Sequence, residues 1–290
     1  MKRFLIVTAD DFGLHRSINE AVYEATATGV LTAASLMMGA PATEDAIQRA
    51  RDLPRLRVGL HLVLADGWSV LPSRLIPALV DSSGRFGNHM VAAGLRYFAL
   101  ADVRRQLRAE IYAQFEAFAH TGLLLDHVNA HKHFHLHPTL LGMILQIGRE
   151  FGLNAMRIPN EPAWFAMREL SLCGAASAVL LAPWAALMKR SLKAHGVVCN
   201  DRLFGIARSG SFDENMLLAV LRRLPAGVSE VYLHPGTYRR GPLAPSMGRY
   251  RHTEELSALL SPRVRAALAG SDLMRGGYAD LIRARGRGYA

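Results

Sequence analysis

The sequence predicts an α/β fold in which a mainly parallel sheet is covered by helices. Short apolar runs typical of strands alternate with amphipathic helical stretches, and several of the strand-like runs end in polar residues. The length of 290 residues suits one (β/α) barrel with insertions, because such barrels typically have about 250 residues. No internal repeat or linker interrupts the pattern, so we expect a single domain over residues 1–290.

Five segments carry this alternation most clearly. Strands are predicted at Phe4–Thr8, Arg57–Leu62 and Val231–Leu233, where apolar and β-branched residues are concentrated. Helices are predicted at Ser17–Ala27 and Asp102–Thr121, where apolar residues recur at helical spacing. The first apolar run is too short for a signal peptide and is interrupted by acidic residues, so we interpret it as the first strand of the sheet.

The least polar segment, residues 170–193, is predicted to be helical. Its first nineteen residues carry no charge, and three basic residues follow. A glycine, a proline and several small residues dilute its apolar character, which disfavours a transmembrane helix. We expect a helical hairpin, and two alternatives stay open: it packs on the barrel, or it lies at a membrane interface.

Glycine and proline mark a stretch without regular structure. Residues 68–94 contain two prolines and three glycines, and we expect an irregular excursion near the functional site. At the other end of the chain, residues 283–290 are basic and rich in glycine, which predicts a flexible tail.

The composition is that of a basic globular protein. Half of the residues are hydrophobic and 20% are charged, which excludes a disordered chain and a small disulfide-bonded scaffold. The net charge of +10 suits an anionic partner such as nucleic acid, a membrane surface or an acidic substrate. The basic residues are dispersed and no nucleic-acid-binding module is recognisable, so we expect no nucleic-acid partner. Two cysteines, Cys173 and Cys199, favour a reducing compartment and thus the cytoplasm.

Two adjacent carboxylates, Asp10 and Asp11, stand where the first predicted strand ends. In parallel α/β folds, ligands collect at this edge of the sheet. The repulsion between the two carboxylates is relieved if one binds a cation and the other holds or transfers a proton. The alternative is structural, because aspartates also form turns and cap helices such as the one predicted from Ser17.

Two further predicted strands each deliver a histidine at their ends. His61 stands between two leucines, so its side chain points to the opposite face of the strand from theirs. Taken alone, His61 is more typical of a hydrogen-bonded core histidine. His234 precedes Pro235 and a glycine, which a simple turn also explains. The repeated arrangement, with Asp11 at another strand end, predicts one site at one rim of the sheet.

Five histidines fall within residues 127–137, in the middle of the chain. From His131 they alternate with other residues, so on an extended chain four imidazoles would line one face. Burying several imidazoles without partners is costly, and neutral imidazole is a common ligand of divalent metals. The tract therefore predicts a metal site, with some of its histidines orienting the ligands or contacting a substrate.

These motifs, in their order along the chain, resemble those of the YdjC-type carbohydrate deacetylases: Thr-Ala-Asp-Asp-Phe-Gly, Gly-Leu-His-Leu, the histidine-rich tract and Tyr-Leu-His-Pro-Gly. The resemblance covers most of the chain and implies a distorted (β/α) barrel related to polysaccharide deacetylases. It implies one divalent metal ion, Mg or Zn, held by Asp11, His61 and His131. It further implies that Asp10 is the general base and His234 the general acid in hydrolysis of an N-acetyl group.

Within this family the sequence most resembles the hopanoid-biosynthesis branch, HpnK, over residues 29–37, 59–64 and 131–138. That resemblance implies deacetylation of an N-acetylglucosaminyl hopanoid, which is a lipid-linked substrate. An enzyme with this substrate is expected in the cytoplasm, and peripheral association with the inner face of the membrane stays open. Many family members that act on soluble chitooligosaccharides have an aspartate where this chain has Asn129. This difference weighs against assigning the same substrate to this chain.

The remaining expectations concern substrate contacts and rival functions. Substrate contacts are expected from the histidine-rich tract and the last motif: His127, Asn129, His133, His135, Tyr232 and Pro235. Soluble N-acetylated oligosaccharides are an alternative substrate, and a metal phosphoesterase or a non-catalytic metal-binding protein are alternative functions. No Gly-rich phosphate cradle accompanies the motifs, and a metal-binding protein has no need for Asp10 or His234. The sequence leaves open whether the chain forms a homodimer.

Overall fold

The sheet of this protein is parallel throughout, as the alternation of strands and helices predicts. The computed structural model describes residues 3–162, 164–165, 172–238 and 243–286, with only the backbone for 172–181. The strands of this part of the chain are β1 Arg3–Phe12, β2 Ala33–Leu36, β3 Arg57–Leu62, β4 Val128–Ala130, β5 Arg202–Phe204, β6 Gly227–Leu233 and β7 Met274–Arg275. Their order is β4-β3-β2-β1-β6-β5, with β7 beside β1.

Short bridges outside these strands close the sheet into a distorted barrel. Val128 of β4 pairs with Met156, and the neighbouring Ala155 pairs with Val198, both in parallel orientation. Val198 leads into β5, and β5 pairs with β6. The segments around Met156 and Val198 thus join the two ends of the strand order, which confirms the predicted single-domain distorted barrel.

Helices connect the strands and cover the outside of the barrel. They are α1 Arg16–Ala27, α2 Thr43–Arg51, α3 Met90–Ala99, α4 Ala101–His120, α5 Pro138–Gly148, α6 Leu172–Ala194, α7 Glu214–Arg222, α8 His252–Leu260, α9 Pro262–Ala269 and α10 Tyr278–Gly286. The side chain that caps α1 is His15, whose Nδ1 accepts from the Ser17 amide. Asp10 and Asp11 therefore do not cap this helix, although the Asp11 carbonyl accepts from the Leu14 amide in a turn.

The predicted elements are confirmed with small changes of bounds. β3 has the predicted bounds, whereas β1 and β6 extend the strands predicted at 4–8 and 231–233. α1 and α4 each begin one residue before the predicted helix. The helical hairpin expected within 170–193 is wrong, because 172–194 is one helix with Pro183 inside it. Residues 170 and 171 lie outside the described residues.

The structure also bears on the predicted C-terminal tail and on whether a helix could cross a membrane. Arg283 lies within α10, which continues to Gly286, so the first half of the predicted tail is helical. Residues 287–290 lie outside the described ranges. Among the described residues, no helix combines the length and the apolar character that crossing a bilayer requires.

The two ends of the barrel are filled differently. Apolar and aromatic side chains fill the amino end, with two of them contributed by α10: Phe4, Ile6, Ala33, Ala155, Val228, Tyr278 and Leu281. Nearer the carboxyl ends of the strands, buried polar side chains replace them: Thr8, Ser35, His127, Asn129, Arg157 and Glu230. This polar layer supports the rim at which the sequence places its motifs.

Candidate metal centre

A bulge in β1 places two adjacent carboxylates at the same rim of the barrel. Neighbouring side chains of a regular strand point to opposite faces, which would separate Asp10 from Asp11. The pairing of β1 with β2 is irregular between Ala9 and Phe12, and Asp11 has a left-handed backbone with φ of 61°. Such a conformation is costly for a residue with a Cβ atom and is typical of functional sites. It turns the Asp11 carboxylate towards the histidines of the rim.

Asp11, His61 and His131 form a compact group of metal-ligating side chains. One ligand atom from each lies within 4.8 Å of the others, and all three residues are buried. Asp11 Oδ1 is 3.3 Å from His61 Nε2 and 3.0 Å from His131 Nδ1. The three residues come from β1, from β3 and from the position directly after β4. The structure thus brings together the ligand set that the family resemblance implies.

The hydrogen bonding of Asp11 fits a bound cation. Both of its carboxylate oxygens are buried, and neither forms a hydrogen bond with good geometry. Among the described residues, Oδ1 has the imidazole nitrogens of His61 and His131 as its close polar neighbours, and a buried carboxylate with so few partners is costly. Burial favours the neutral acid, but His131 and His61 outweigh it and hold the pKa of Asp11 well below its usual range. One carboxylate and two imidazoles are ligands suited to a divalent transition metal, so the residues present fit a metal ion.

The amide of Asn129 has two orientations with different partners. With its oxygen towards His61, Oδ1 lies 2.6 Å from Nδ1 and Nδ2 donates to Ser35 Oγ at 2.9 Å. With the amide reversed, its oxygen accepts from Ser35 Oγ and from Arg157 Nη1 at 2.9 Å, while its nitrogen donates to His61 Nδ1. The reversed orientation satisfies more groups in the free site. A metal on His61 Nε2 requires the first orientation, because Nδ1 then carries the proton.

Arg157 connects the site to the barrel interior and was not found by sequence reasoning. Its Nη1 donates to Asp10 Oδ2 at 2.6 Å, and its Nη2 donates to Glu230 Oε1 at 2.7 Å. Burial opposes ionisation of Asp10, but the Arg157 charge outweighs it and holds the pKa of Asp10 well below its usual range. Asp10 is therefore an ionised carboxylate with a fixed orientation. A lone arginine between the apolar Met156 and Ile158 is the signal that marks this position in the sequence.

His234 lies directly after β6 on the same rim. Its Nε2 is 3.9 Å from Asp11 Oδ2, and its Nδ1 is 4.0 Å from Glu255 Oε2. Glu255, on α8, is fully buried and accepts hydrogen bonds from the backbone amides of Phe212 and His234. Burial raises the pKa of Glu255 to about 8 and lowers the pKa of His234 to about 4. Near neutral pH the two side chains are therefore a carboxylic acid beside a neutral imidazole.

The histidine-rich tract is not extended, so the prediction of four imidazoles on one face is wrong. Residues 131–136 form two short 3₁₀ turns separated by a kink at Lys132 and His133, which have left-handed backbones with φ of 55° and 56°. This winding sends successive histidines in different directions. His133 Nε2 contacts Tyr232 Oη at 3.2 Å, whereas the buried His135 accepts from the Ala130 amide and contacts the Arg157 carbonyl.

Several predicted substrate contacts lie below the rim. His127 is fully buried, with Nδ1 at 2.9 Å from Asp126 and Nε2 at 3.1 Å from Ser35. A Cβ atom at Gly59 would lie 2.5 Å from its ring, so this histidine fills the barrel interior beside a glycine. His127 and His135 thus have structural partners, as does the buried Asn129, and Pro235 is buried in the turn after β6. Of the six candidates, His133 lines the groove described next, and the buried Tyr232 packs against His133.

An apolar groove of about 590 Å³ lies beside the metal centre. Its walls come from α3 and α6, through residues such as Leu95, Phe98 and Trp184. Its floor includes Phe134, and His133 lies between the groove and the polar interior of the barrel. The irregular stretch predicted at 68–94 leads into α3, but the groove itself had no signal in the sequence because it depends on contacts between distant segments.

Comparisons with known proteins agree with this architecture. A carbohydrate deacetylase from Geobacillus stearothermophilus is 30% identical over 273 residues, which cover 93% of this chain and 94% of that protein. A carbohydrate deacetylase from Brevibacillus brevis is 36% identical over 163 residues, but the match spans only 59% of that protein and 55% of this chain. A solved structure from Enterococcus faecalis V583 has a TM-score of 0.71 at 21% identity, covering 97% of this chain and 99% of the other, which shows a shared fold. The model of the YdjC-like protein family matches residues 4–270, so this chain belongs to the YdjC-like family.

Proposed function

We propose that this protein is a metal-dependent hydrolase that removes the acetyl group from an N-acetylaminosugar, releasing acetate and a free amine. The observation that carries the proposal is the buried, unsatisfied carboxylate of Asp11 between two imidazoles, with Asp10 and His234 beside it. Two relatives described as carbohydrate deacetylases support the same reaction. A non-catalytic metal-binding protein would not need an arginine that orients Asp10 next to the ligands.

Asp11, His61 and His131 would hold the metal ion, with Asn129 orienting the ring of His61. When bound, a divalent ion supplies Lewis acidity towards the acetamide carbonyl and increases the acidity of water. Two imidazoles favour zinc and a carboxylate is also suited to magnesium, so both ions are candidates.

Asp10 is assigned as the general base. Its carboxylate is held ionised by Arg157, which also fixes its direction through a 2.6 Å hydrogen bond. A base must be deprotonated and positioned before it accepts a proton, and Asp10 meets both requirements over the whole neutral range. In the proposed reaction it accepts a proton from the attacking water as oxygen adds to the acetyl carbon.

The pair of His234 and Glu255 is assigned as the proton source for the leaving nitrogen. Near neutral pH the pair holds one acidic proton, which resides on Glu255 because burial disfavours both charges. As the C–N bond breaks, His234 passes the proton of Nε2 to the amine nitrogen, and Glu255, whose Oε2 lies 4.0 Å from Nδ1, supplies a proton to Nδ1 as the two groups approach. The proton that Asp10 took from water then restores the acid form of Glu255, so that one water is consumed for each acetate released.

We further propose that the sugar is linked to a lipid, and that a hopanoid is the candidate lipid. The apolar groove supports this choice, because an apolar aglycone on a sugar at the metal centre would enter it past His133. A soluble chitooligosaccharide is the alternative, and it would leave the groove unused. The lipid-linked substrate accords with a location in the cytoplasm or at the inner face of the membrane, which belongs to the same proposal.

Competing substrates test this proposal directly. Metal-loaded protein is offered an N-acetylglucosaminyl lipid, an N-acetylated chitooligosaccharide and a phosphate ester, and release of acetate and phosphate is measured. We expect acetate release from the lipid to have the highest kcat/KM. Faster hydrolysis of the chitooligosaccharide would overturn the lipid linkage, and phosphate release without acetate release would overturn deacetylation itself.

A further inference from the structure

Helix α3 exposes an apolar stripe to solvent. Val91, Leu95 and Phe98 occupy positions i, i+4 and i+7 and are 81%, 67% and 65% exposed, so they share one face of the helix. Tyr97, by contrast, is buried and donates its hydroxyl to the Leu64 carbonyl. Soluble proteins rarely expose adjacent large apolar side chains unless the surface meets a partner.

A second helix continues this surface across the groove. On α6, Trp184 and Leu187 are 47% and 59% exposed, and Trp184 lines the same groove as the α3 residues. We define the apolar rim as Val91, Leu95, Phe98, Trp184 and Leu187. The rim surrounds the open side of the groove, so a partner seated on it would cover the entrance.

The charged residues on the two helices that carry the apolar rim are all basic. Helix α3 contains one charged residue, Arg96, and α6 contains Lys189, Arg190 and Lys193; neither helix has a carboxylate. Lys189 pairs with Asp201 at 2.7 Å, and the other three basic side chains are exposed. Apolar side chains bordered by cations are typical of helices that lie in the headgroup region of anionic membranes.

We propose that the apolar rim is a docking surface for an anionic lipid bilayer, with its side chains inserted at the boundary between headgroups and acyl chains. In this orientation the groove opens towards the membrane, so a lipid-linked sugar would reach the metal centre without its apolar part crossing water. The docking itself rests on the exposed rim and its cations, and only this route for the substrate rests on the proposed function. The sequence leaves membrane contact at 170–188 open, whereas the exposed stripe on α3 emerges only from the structure.

Vesicle flotation tests the docking surface. The full chain is mixed with phosphatidylcholine vesicles, with and without phosphatidylglycerol, and the bound fraction is measured at low and high salt. We expect binding that requires phosphatidylglycerol and weakens at high salt. The double variant Leu95→Ser/Phe98→Ser should lower the partition coefficient at least about tenfold, because two large apolar side chains no longer insert.

Leu124→Ser is the matched control for this experiment. Leu124 is 88% exposed but precedes β4, at the opposite end of the barrel from the metal centre, so its loss should leave flotation unchanged. The double variant should keep the Tm and metal content of the wild type, because both side chains are exposed. Wild-type protein that does not float, or a double variant that floats like the wild type, would overturn the proposal. A wild-type protein that binds no vesicles and sediments as a dimer, with a double variant that sediments as a monomer, would instead assign the rim to self-association.

The test of the docking surface can fail independently of the test of the proposed deacetylase activity. Acetate release from a soluble chitooligosaccharide needs no membrane, so it reports on the metal centre alone. Protein that floats and releases no acetate from any N-acetylated sugar would refute the deacetylase and leave the docking surface standing. Protein that releases acetate and does not float would refute the docking surface and leave the deacetylase standing.

Discussion

Two buried groups of aspartate and histidine lie at opposite ends of the same barrel, and their hydrogen bonding differs. At the amino end, Asp126 accepts from His127 Nδ1 at 2.9 Å, from the Tyr278 amide at 3.0 Å and from the Ala279 amide at 2.8 Å. At the carboxyl end, neither oxygen of Asp11 forms a hydrogen bond with good geometry, and Oδ1 faces two imidazole nitrogens at 3.0 and 3.3 Å. Asp126 is therefore fully hydrogen-bonded, whereas Asp11 is not.

The difference separates a group that its protein partners fully explain from one that fits a bound cation. Buried polar groups in native proteins are almost always hydrogen-bonded, so an unsatisfied carboxylate indicates a ligand or a functional role. Asp126 joins α10 to the bottom of the barrel, and nothing further is needed to explain it. Asp11 lies on a strained bulge and faces two imidazoles, which is costly unless a cation completes the group.

Asp11→Asn is expected to have the largest effect on activity. The variant removes the charge that holds the cation, so metal content should fall to background and kcat/KM should drop more than about a thousandfold. Because the pKa of Asp11 lies well below its usual range, its ionised form stabilises the metal-free fold at neutral pH, so the Tm of metal-free protein should fall in the variant. Metal content by mass spectrometry, acetate release and thermal melting measure these effects. A variant that retains one equivalent of metal would contradict the distinction between Asp11 as a metal ligand and Asp126 as a structural residue.

Asp10→Asn should separate the base from the ligands. The side chain keeps its shape and its contact with Arg157 but no longer accepts a proton, so kcat should fall about 100- to 1,000-fold. Metal content should stay at the wild-type level, in contrast to Asp11→Asn. Single-turnover assays together with metal analysis provide the measurement. Turnover that survives in this variant would remove Asp10 from the proposed reaction.

Glu255→Gln should change the pH dependence of the reaction. Because the pKa of Glu255 is raised to about 8, its proton is present below that pH and is lost above it. Wild-type kcat/KM should therefore decline about tenfold per pH unit above the pKa, and the glutamine variant should lack this limb. Rate profiles for both proteins, taken below their melting temperatures, test the role of Glu255. An identical alkaline limb in the variant would assign it to another group.

Asp126→Asn should have the smallest effect on activity and the clearest effect on stability. Asparagine has one acceptor oxygen where three donors converge, so a buried donor loses its partner and the free energy of unfolding should fall by about 2 kcal/mol. Metal content should be unchanged, and kcat/KM should stay within about twofold of the wild type. Denaturant unfolding and metal analysis measure both quantities. Loss of metal in this variant would show that the two ends of the barrel are not independent.

Sequence patterns predicted the parts of the molecule that depend on local periodicity. The strand ends at Asp11, His61 and His234 were placed correctly on one rim, because parallel strands bring their carboxyl ends together. The ligand set itself came from the family resemblance. The prediction of an extended chain after His131 is wrong, because left-handed residues at 132 and 133 kink the chain between two short 3₁₀ turns, which periodicity does not reveal.

The features missed by sequence reasoning depend on contacts between distant segments. Arg157 and Glu230 are separated by 73 residues, and Glu255 lies 21 residues from His234. The stripe on α3 is apolar at helical spacing, which by itself predicts a buried face. Only its exposure to solvent in the fold indicates a surface for a partner.

Metal removal and reconstitution test the central claim most directly. Protein freed of metal by chelation is titrated with Zn²⁺ or Mg²⁺, and acetate release is followed from whichever N-acetylated substrate the untreated enzyme hydrolyses faster. We expect no acetate release without metal, full activity at one equivalent of ion, and no recovery in Asp11→Asn. Metal-free wild-type protein that releases acetate at the full rate would contradict the account.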